Sequence, residues 1–274
     1  MGEVIYQYDD LDRTNISKSA LSLSCICCED SFSYLIHVIG DNLHYRAKSI
    51  VFDKQYPSFI KPLGYLSEVL RDDHLLFNEF QSKVIGVRGV PFVKVAQDQL
   101  LDKSPENILA EHTDIGPNDI ILTDKMNKTD QVLLFAIPEM LNAEIQMFYK
   151  NARVKHSLSS LLCHALSKAG TDHSTIHVNI THRWLEIVIM VGNDVKYVNH
   201  MRWYSRNDVV YYIAALLENI QLSGEMAFEF SGSAYQAQMH EHLIDFLSIE
   251  DHQIVQTSFG DANVLDLRTI GLCE

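Results

Sequence analysis

Cysteines and histidines hold most of the chemical potential of this 274-residue chain, so their spacing is the first thing to weigh. Cys25, Cys27 and Cys28 could offer thiolates to zinc. In an extended strand, however, Cys25 and Cys27 share one face while Cys28 points to the other. No second C-x-x-C and no matched His pair completes a tetrahedral set, so the three read as buried apolar thiols. His240 and His242 flank Glu241, but residues two apart on a helix diverge, and Ile244 stands where H-E-x-x-H needs its second His. Cys163 and His164 are sequence neighbours, a spacing that on a helix keeps thiol and imidazole apart. There is also no G-x-S-x-G elbow for a serine nucleophile. The sequence therefore nominates no catalytic residue and no metal site.

Charge narrows the partners. A formal net charge of -14, with Lys and Arg scattered along the chain, repels phosphate backbones and argues against nucleic acid. Met1 to Arg13 carries Glu3, Asp9, Asp10 and Asp12 and lacks the basic start and apolar run of a secretory signal. Apolar runs such as Val132 to Ile137 and Ile187 to Val191 are far shorter than the roughly 20 residues of a membrane-spanning helix. Five cysteines without framework spacing fit reduced thiols. These features together predict a cytoplasmic protein with no membrane insertion.

The elements that must position any site come next. With 47% hydrophobic and 21% charged residues, the composition is that of a folded globular protein, and its length suits two domains. Residues 20–28, 32–39 and 43–52 are rich in β-branched, aromatic and aliphatic types. The turns between them, Glu29-Asp30-Ser31 and Gly40-Asp41-Asn42, predict an antiparallel meander. A helix is expected over 58–70 and strands over 83–96, broken at Gly89-Val90-Pro91. A short helix over 99–111 and a strand pair at 119–123 and 131–137 follow. Pro138 then opens a helix to Tyr149, and another helix runs over 157–169.

Beyond Gly170 the opening pattern recurs. Strands at 175–181, 184–191 and 195–203 lead to a helix over 207–220 capped by Ser205. A strand at 226–231, a helix at 234–247 and a strand at 253–257 complete the half. Ser33 to Tyr45 aligns with Leu185 to Tyr197 without a gap, placing Gly40 over Gly192 and Tyr45 over Tyr197. On the helix after the second meander, Tyr211, Tyr212, Ile213, Leu216 and Leu217 read as a face packed on the sheet.

Particular segments carry a family resemblance. They are Phe135-Ala136-Ile137-Pro138-Glu139 before a helix, Val154-Lys155-His156-Ser157 leading into the next, and Asn207-Asp208-Val209-Val210-Tyr211-Tyr212-Ile213. With the paired meanders they resemble a family of uncharacterised bacterial proteins with an actin-like ATPase fold, over nearly the whole chain from about Ala20. The resemblance implies an α/β fold of two ribonuclease-H-like domains, with mixed sheets that each open on a three-strand antiparallel meander. The corresponding division is an N-terminal extension over 1–19, a first domain over 20–151 and a second over 152–274.

In active relatives the turn between the first two strands of each half supplies Gly and Asp, so that amides approach phosphate and a carboxylate positions metal and water. Here the first turn reads Cys27-Cys28-Glu29-Asp30-Ser31 without glycine, and the second Thr181-His182-Arg183 has neither type. The glycines include no G-x-G, the nearest pair being Gly86 and Gly89. Ser231-Gly232-Ser233-Ala234, between a strand and a helix, lies where active relatives place glycines beside adenosine. Its simpler reading is a tight turn with Ser233 as helix cap. Glu29 and Asp30 likewise read as solvated hairpin residues, and Arg183 as either an anion contact or an exposed side chain.

A candidate interdomain cleft thus comprises Glu29, Asp30, Ser31, Thr181, His182, Arg183, Gly232 and Ser233. The expectation is a catalytically inactive scaffold or adaptor that binds another protein and needs no cofactor. The alternatives are an ATP-binding switch or weak ATPase using ATP with magnesium, and a small-molecule sensor.

Overall fold

Small and apolar side chains in unbroken succession make residues 21–27 a strand covered on both faces, and that strand organises the first sheet. The computed structural model describes residues 2–11, 20–40, 44–52, 69, 71–126, 129–168, 174–220, 226–232, 237–250, 253 and 264–272. In it β2 (Leu21–Cys27) is buried at every position and pairs antiparallel with β3 (Ser31–Val38), which pairs with β4 (Tyr45–Val51). Burial on both faces limits the alternate positions Ser22 and Ser24 to small side chains. Gly40 takes φ +89° after β3, a conformation that costs other residues steric strain.

β5 (Ser82–Val87) adds in parallel to β2, and β9 (Arg153–His156) in parallel to β5. β1 (Glu3–Asp9) lies antiparallel on β4, where Arg46 reaches Asp9 at 2.5 Å and Asp73 at 2.7 Å. The resulting sheet runs β1-β4-β3-β2-β5-β9. Segment 1–19, expected as an extension, therefore contributes a strand to the first sheet. β1 is almost wholly exposed on the sheet edge and shows no apolar alternation that would mark it in sequence.

Between β5 and β9 the chain builds a three-stranded sheet from β6 (Phe92–Ala96), β7 (Asp119–Lys125) and β8 (Gln131–Pro138), with β8 in the middle. β8 serves two cores: Val132 and Leu134 pack with Val95 and Ile108, while Phe135 and Ile137 enter the main core. Its continuous apolar run follows from that double burial. The intervening α1 (Gln99–Asp102) and α2 (Pro105–Ala110) are short, and Ser104 caps α2 by accepting from the Asn107 N–H at 3.3 Å. α3 (Glu139–Phe148) starts immediately after Pro138 and buries Leu141 and Ile145. α4 (Leu158–Ser167) follows β9.

The second sheet repeats the scheme. β10 (Ser174–Thr181), β11 (Trp184–Val191) and β12 (Asp194–Arg202) form the meander and β13 (Met226–Ser231) joins β10 in parallel, giving the order β12-β11-β10-β13. That order matches β4-β3-β2-β5 of the first sheet, and Gly192 takes φ +60° where Gly40 takes its own positive φ. α5 (Arg206–Asn219) begins with a capping box in which Ser205 and Asp208 satisfy each other's backbone N–H groups. Val209 and Ile213 of α5 and Leu243 of α6 (Ala237–Leu247) pack on Ile176, Val178 and Phe228. Tyr211 departs from the expected packed face, being 68% exposed. α7 (Leu265–Leu272) closes the described chain.

Two compact units result, Met1–Ser159 with Ile270–Glu274 and Ser160–Thr269. β9 belongs to the first, because its hydrogen bonds are to β5. A boundary at 151/152 would cut it away from its sheet. The helix expected over 58–70 lies outside the described residues except for Val69, and the strand over 253–257 except for Gln253. Among the described residues no helix is long and apolar enough to cross a membrane. Cys25, Cys27 and Cys28 are buried free thiols, whereas Cys163 is disulfide-bonded, so the expectation of reduced thiols fails at Cys163.

Candidate functional site

The first hairpin turn is sealed by its own backbone. Cys27 pairs with Phe32, the Cys28 N–H donates to Ser31 O at 2.9 Å, and the Phe52 N–H donates to Asp30 O at 2.9 Å. Asp30 is 1% exposed and Glu29 half-buried. Asp30 is therefore no solvated hairpin residue, contrary to expectation. Arg88, 3% exposed, sends its backbone N–H to Cys27 O at 2.9 Å. Burial pushes the Cys28 thiol up to about 12. Asp30 pushes the same way and Arg88 opposes it, so an internal anion and an internal cation both act on this turn.

The second turn is tighter. Thr181 pairs with Trp184, leaving His182 and Arg183 as the turn, with Arg183 at φ 59°. Trp203 caps it: its indole Nε1–H donates to Thr181 O and its backbone N–H to Arg183 O, both at 3.0 Å. Gly232 follows β13 at φ +109°, and a Cβ there would lie 2.1 Å from Ile180 O. Within the second unit the fold thus brings Gly232 against the strand end that carries Thr181, His182 and Arg183. One step inside, the Ser231 hydroxyl donates to Asn179 Oδ1 at 3.2 Å and the Asn179 amide to Glu186 Oε2 at 2.7 Å. Glu29, Asp30 and Ser31 are gathered in the first unit, and Ser233 lies outside the described residues.

A second polar group, absent from the expected site residues, sits within the second unit. His177 of β10 and Glu229 of β13 are register partners, and His164 of α4 and Lys168 just after it lie against them. Glu229 Oε2 lies 2.9 Å from His164 Nε2 and 3.0 Å from His177 Nδ1, while Oε1 accepts from Lys168 Nζ at 2.6 Å. Burial works to raise the Glu229 pKa, but the contacts from His164, His177 and Lys168 overcome it and hold the carboxyl well below its usual range. Burial lowers the His177 pKa and Glu229 opposes it. The available signal was a charged residue amid apolar ones in Phe228-Glu229-Phe230, which a buried strand tolerates only when paired.

Asp124, His156 and Ser159 also cluster, but without the geometry of a hydrolytic triad. Ser159 and the His156 backbone N–H both donate to Asp124 Oδ2, while His156 Nδ1 accepts from the Leu158 N–H at 3.1 Å. That assigns the ring proton to Nε2, which faces Val90 O at 3.4 Å. The imidazole faces away from the serine, so the cluster is a structural joint.

Comparison with known proteins agrees with the duplicated architecture. The family described as "Protein of unknown function (DUF3822)" matches residues 9–245. No curated protein matches the chain. A solved protein of Bacteroides thetaiotaomicron VPI-5482, with actin-like ATPase fold and unknown function, is 17% identical. The match covers 94% of this chain and 98% of that one at a TM-score of 0.75. A chain from the PilM-PilN type IV pilus biogenesis complex is 9% identical, covering 92% and 96% at 0.58. The ethanolamine utilization protein EutJ from Carboxydothermus hydrogenoformans is 7% identical, covering 93% and 90% at 0.58. The chain has the actin-like ATPase fold of two ribonuclease-H-like domains, and the resemblance read from its sequence holds.

Proposed function

The chain belongs to the DUF3822 family of unknown function, and we propose that it is a catalytically silent actin-like protein, a scaffold or adaptor that holds another protein. One observation carries the silence. At both hairpin turns backbone groups are tied within the chain: the Cys28 N–H and the Asp30 carbonyl in the first, and the Thr181 and Arg183 carbonyls, held by Trp203, in the second. A phosphate cradle needs free N–H groups converging on the ligand, and a metal needs a carboxylate turned outward. Asp30 is instead buried inside its own unit.

The adaptor role rests on surface chemistry. Tyr204 and Tyr211, at the start of α5 and one turn into it, are 73% and 68% exposed, and amphipathic rings of this kind anchor protein interfaces. One fold neighbour comes from PilM-PilN, itself a protein complex.

Calorimetry and phosphate release with magnesium and ATP test the silent half of the reading. The expected result is no heat of binding and no turnover; magnesium-dependent micromolar binding would sink it. For the adaptor half, a Tyr204→Ser, Tyr211→Ser double variant should lose a partner that co-purifies with the unaltered chain while keeping its fold. Retention of that partner removes this face from the interaction.

The ATP-binding switch has one observation in its favour. Gly232 keeps φ +109° directly after β13, at the strand end where active relatives place glycines beside adenosine. Binding of ATP without hydrolysis in the same calorimetry would establish this second reading.

A further inference from the structure

We propose that His164, His177 and Glu229 form a binding site for one divalent transition-metal ion of the zinc class. Each offers a ligand atom, and those atoms lie within 4.8 Å of one another although they come from α4, β10 and β13. The two imidazoles stand edge to face, with centroids 5.6 Å apart at 88°, so a nitrogen of each can converge on one point. Both aim at the same carboxylate oxygen of Glu229, at 2.9 Å and 3.0 Å.

An independent observation is the state of His177. Its side chain is 2% exposed, yet neither ring nitrogen makes a well-aligned hydrogen bond, the 3.0 Å approach of Nδ1 to Glu229 included. A buried imidazole in that position is costly to keep unless something repays it. Coordination repays Nδ1: the neutral ring carries its proton on Nε2 and gives the Nδ1 lone pair to the ion. Two imidazoles and one carboxylate are the donor set of zinc, cobalt and nickel and not that of magnesium or calcium. His164, 12% exposed, lies on the more accessible side, from which water can supply the remaining ligand. Lys168 keeps the second carboxylate oxygen and fixes the carboxylate plane.

This inference is independent of the adaptor reading, since the cluster lies within the second unit and shares no residue with either hairpin turn. The test is cobalt and zinc titration of the full-length chain. The expected result is one ion per chain, visible d–d bands of low-coordinate cobalt, displacement by zinc and a raised thermal midpoint. His177→Gln and Glu229→Gln should each weaken binding at least about tenfold, the scale seen even for outer-shell changes at metal sites. Equal binding by these variants, or no stoichiometric binding by the unaltered chain, overturns the proposal. Should a variant fail to fold, X-ray absorption on the zinc-loaded unaltered chain decides. Two imidazoles and only nitrogen and oxygen ligands support the site, and sulfur ligands overturn it.

Discussion

Ser159 Oγ donates to Asp124 Oδ2 across 2.5 Å, on the same oxygen that accepts the His156 backbone N–H at 2.8 Å. One buried carboxylate thereby ties β7 to the end of β9 and the first turn of α4. Replacing Asp124 by Ala strands two buried donors, at about 1–3 kcal/mol each, whereas Ser159→Ala removes only one partner. Denaturant unfolding should rank the two variants in that order. A smaller loss for Asp124→Ala would mean that water reaches the joint.

Asp124 also makes a prediction about pH. Burial raises its pKa above the ordinary carboxylate value, with the hydrogen bonds from Ser159 and His156 opposing. A raised folded-state pKa means that the charged form is the disfavoured one in the fold. The favourable contribution is therefore complete below the unfolded pKa of about 3.9 and is lost as pH rises through the folded value. Relative to Asp124→Asn, the unaltered chain should lose stability across this interval and run parallel to it at higher pH. A difference that grows in the opposite sense would show that the hydrogen bonds win.

Three glycines with positive φ should respond unequally to alanine. At Gly40 and Gly192 a Cβ would meet nothing within 4 Å, so only backbone strain of about 1–2 kcal/mol is expected. At Gly232 the same strain is joined by contact with the Ile180 backbone at 2.1 Å. Relief requires movement of β10, and Gly232→Ala should cost roughly 3 kcal/mol or more. Comparable unfolding midpoints for the three variants would refute the distinction.

The thiols of Cys25 and Cys27 on β2 and of Cys28 just after it should be inert in the folded protein. Burial pushes Cys25 well above its ordinary pKa and both Cys27 and Cys28 up to about 12. Thiolate is the reactive species. Alkylation at mildly alkaline pH, read by mass spectrometry, should leave all three unmodified in the native chain and label them in denaturant. Native labelling at any of them would reveal opening of the central strand.

Local signals account for what the sequence disclosed. Both meanders were legible because apolar strands alternate with turns whose glycines, Gly40 and Gly192, do take positive φ. Capping by Ser205 and the helix start at Pro138 were legible for the same reason, since each is decided within one turn of chain. Sheet membership was not. Phe92 pairs with Phe135 and Val84 with Arg153, and nothing near these residues announces a partner so distant. At the candidate site the turn positions were legible but the burial of Asp30 was not, because it arises only once distant residues such as Phe52, whose N–H donates to Asp30 O, have joined the turn. His164, His177 and Glu229 stayed hidden for the same reason: their relation exists only once α4, β10 and β13 have met.

The far end of the described chain packs against Gly86 of β5. A Cβ there would stand 2.5 Å from Ile270 Cδ1, so the wholly buried Ile270 fills the space that glycine leaves on β5. Residue 270 emerges from the ribosome only after all of Ser160–Thr269, the unit formed by one continuous stretch. The earlier-encoded unit therefore keeps an unsealed face on β5 until almost the whole chain has been synthesised.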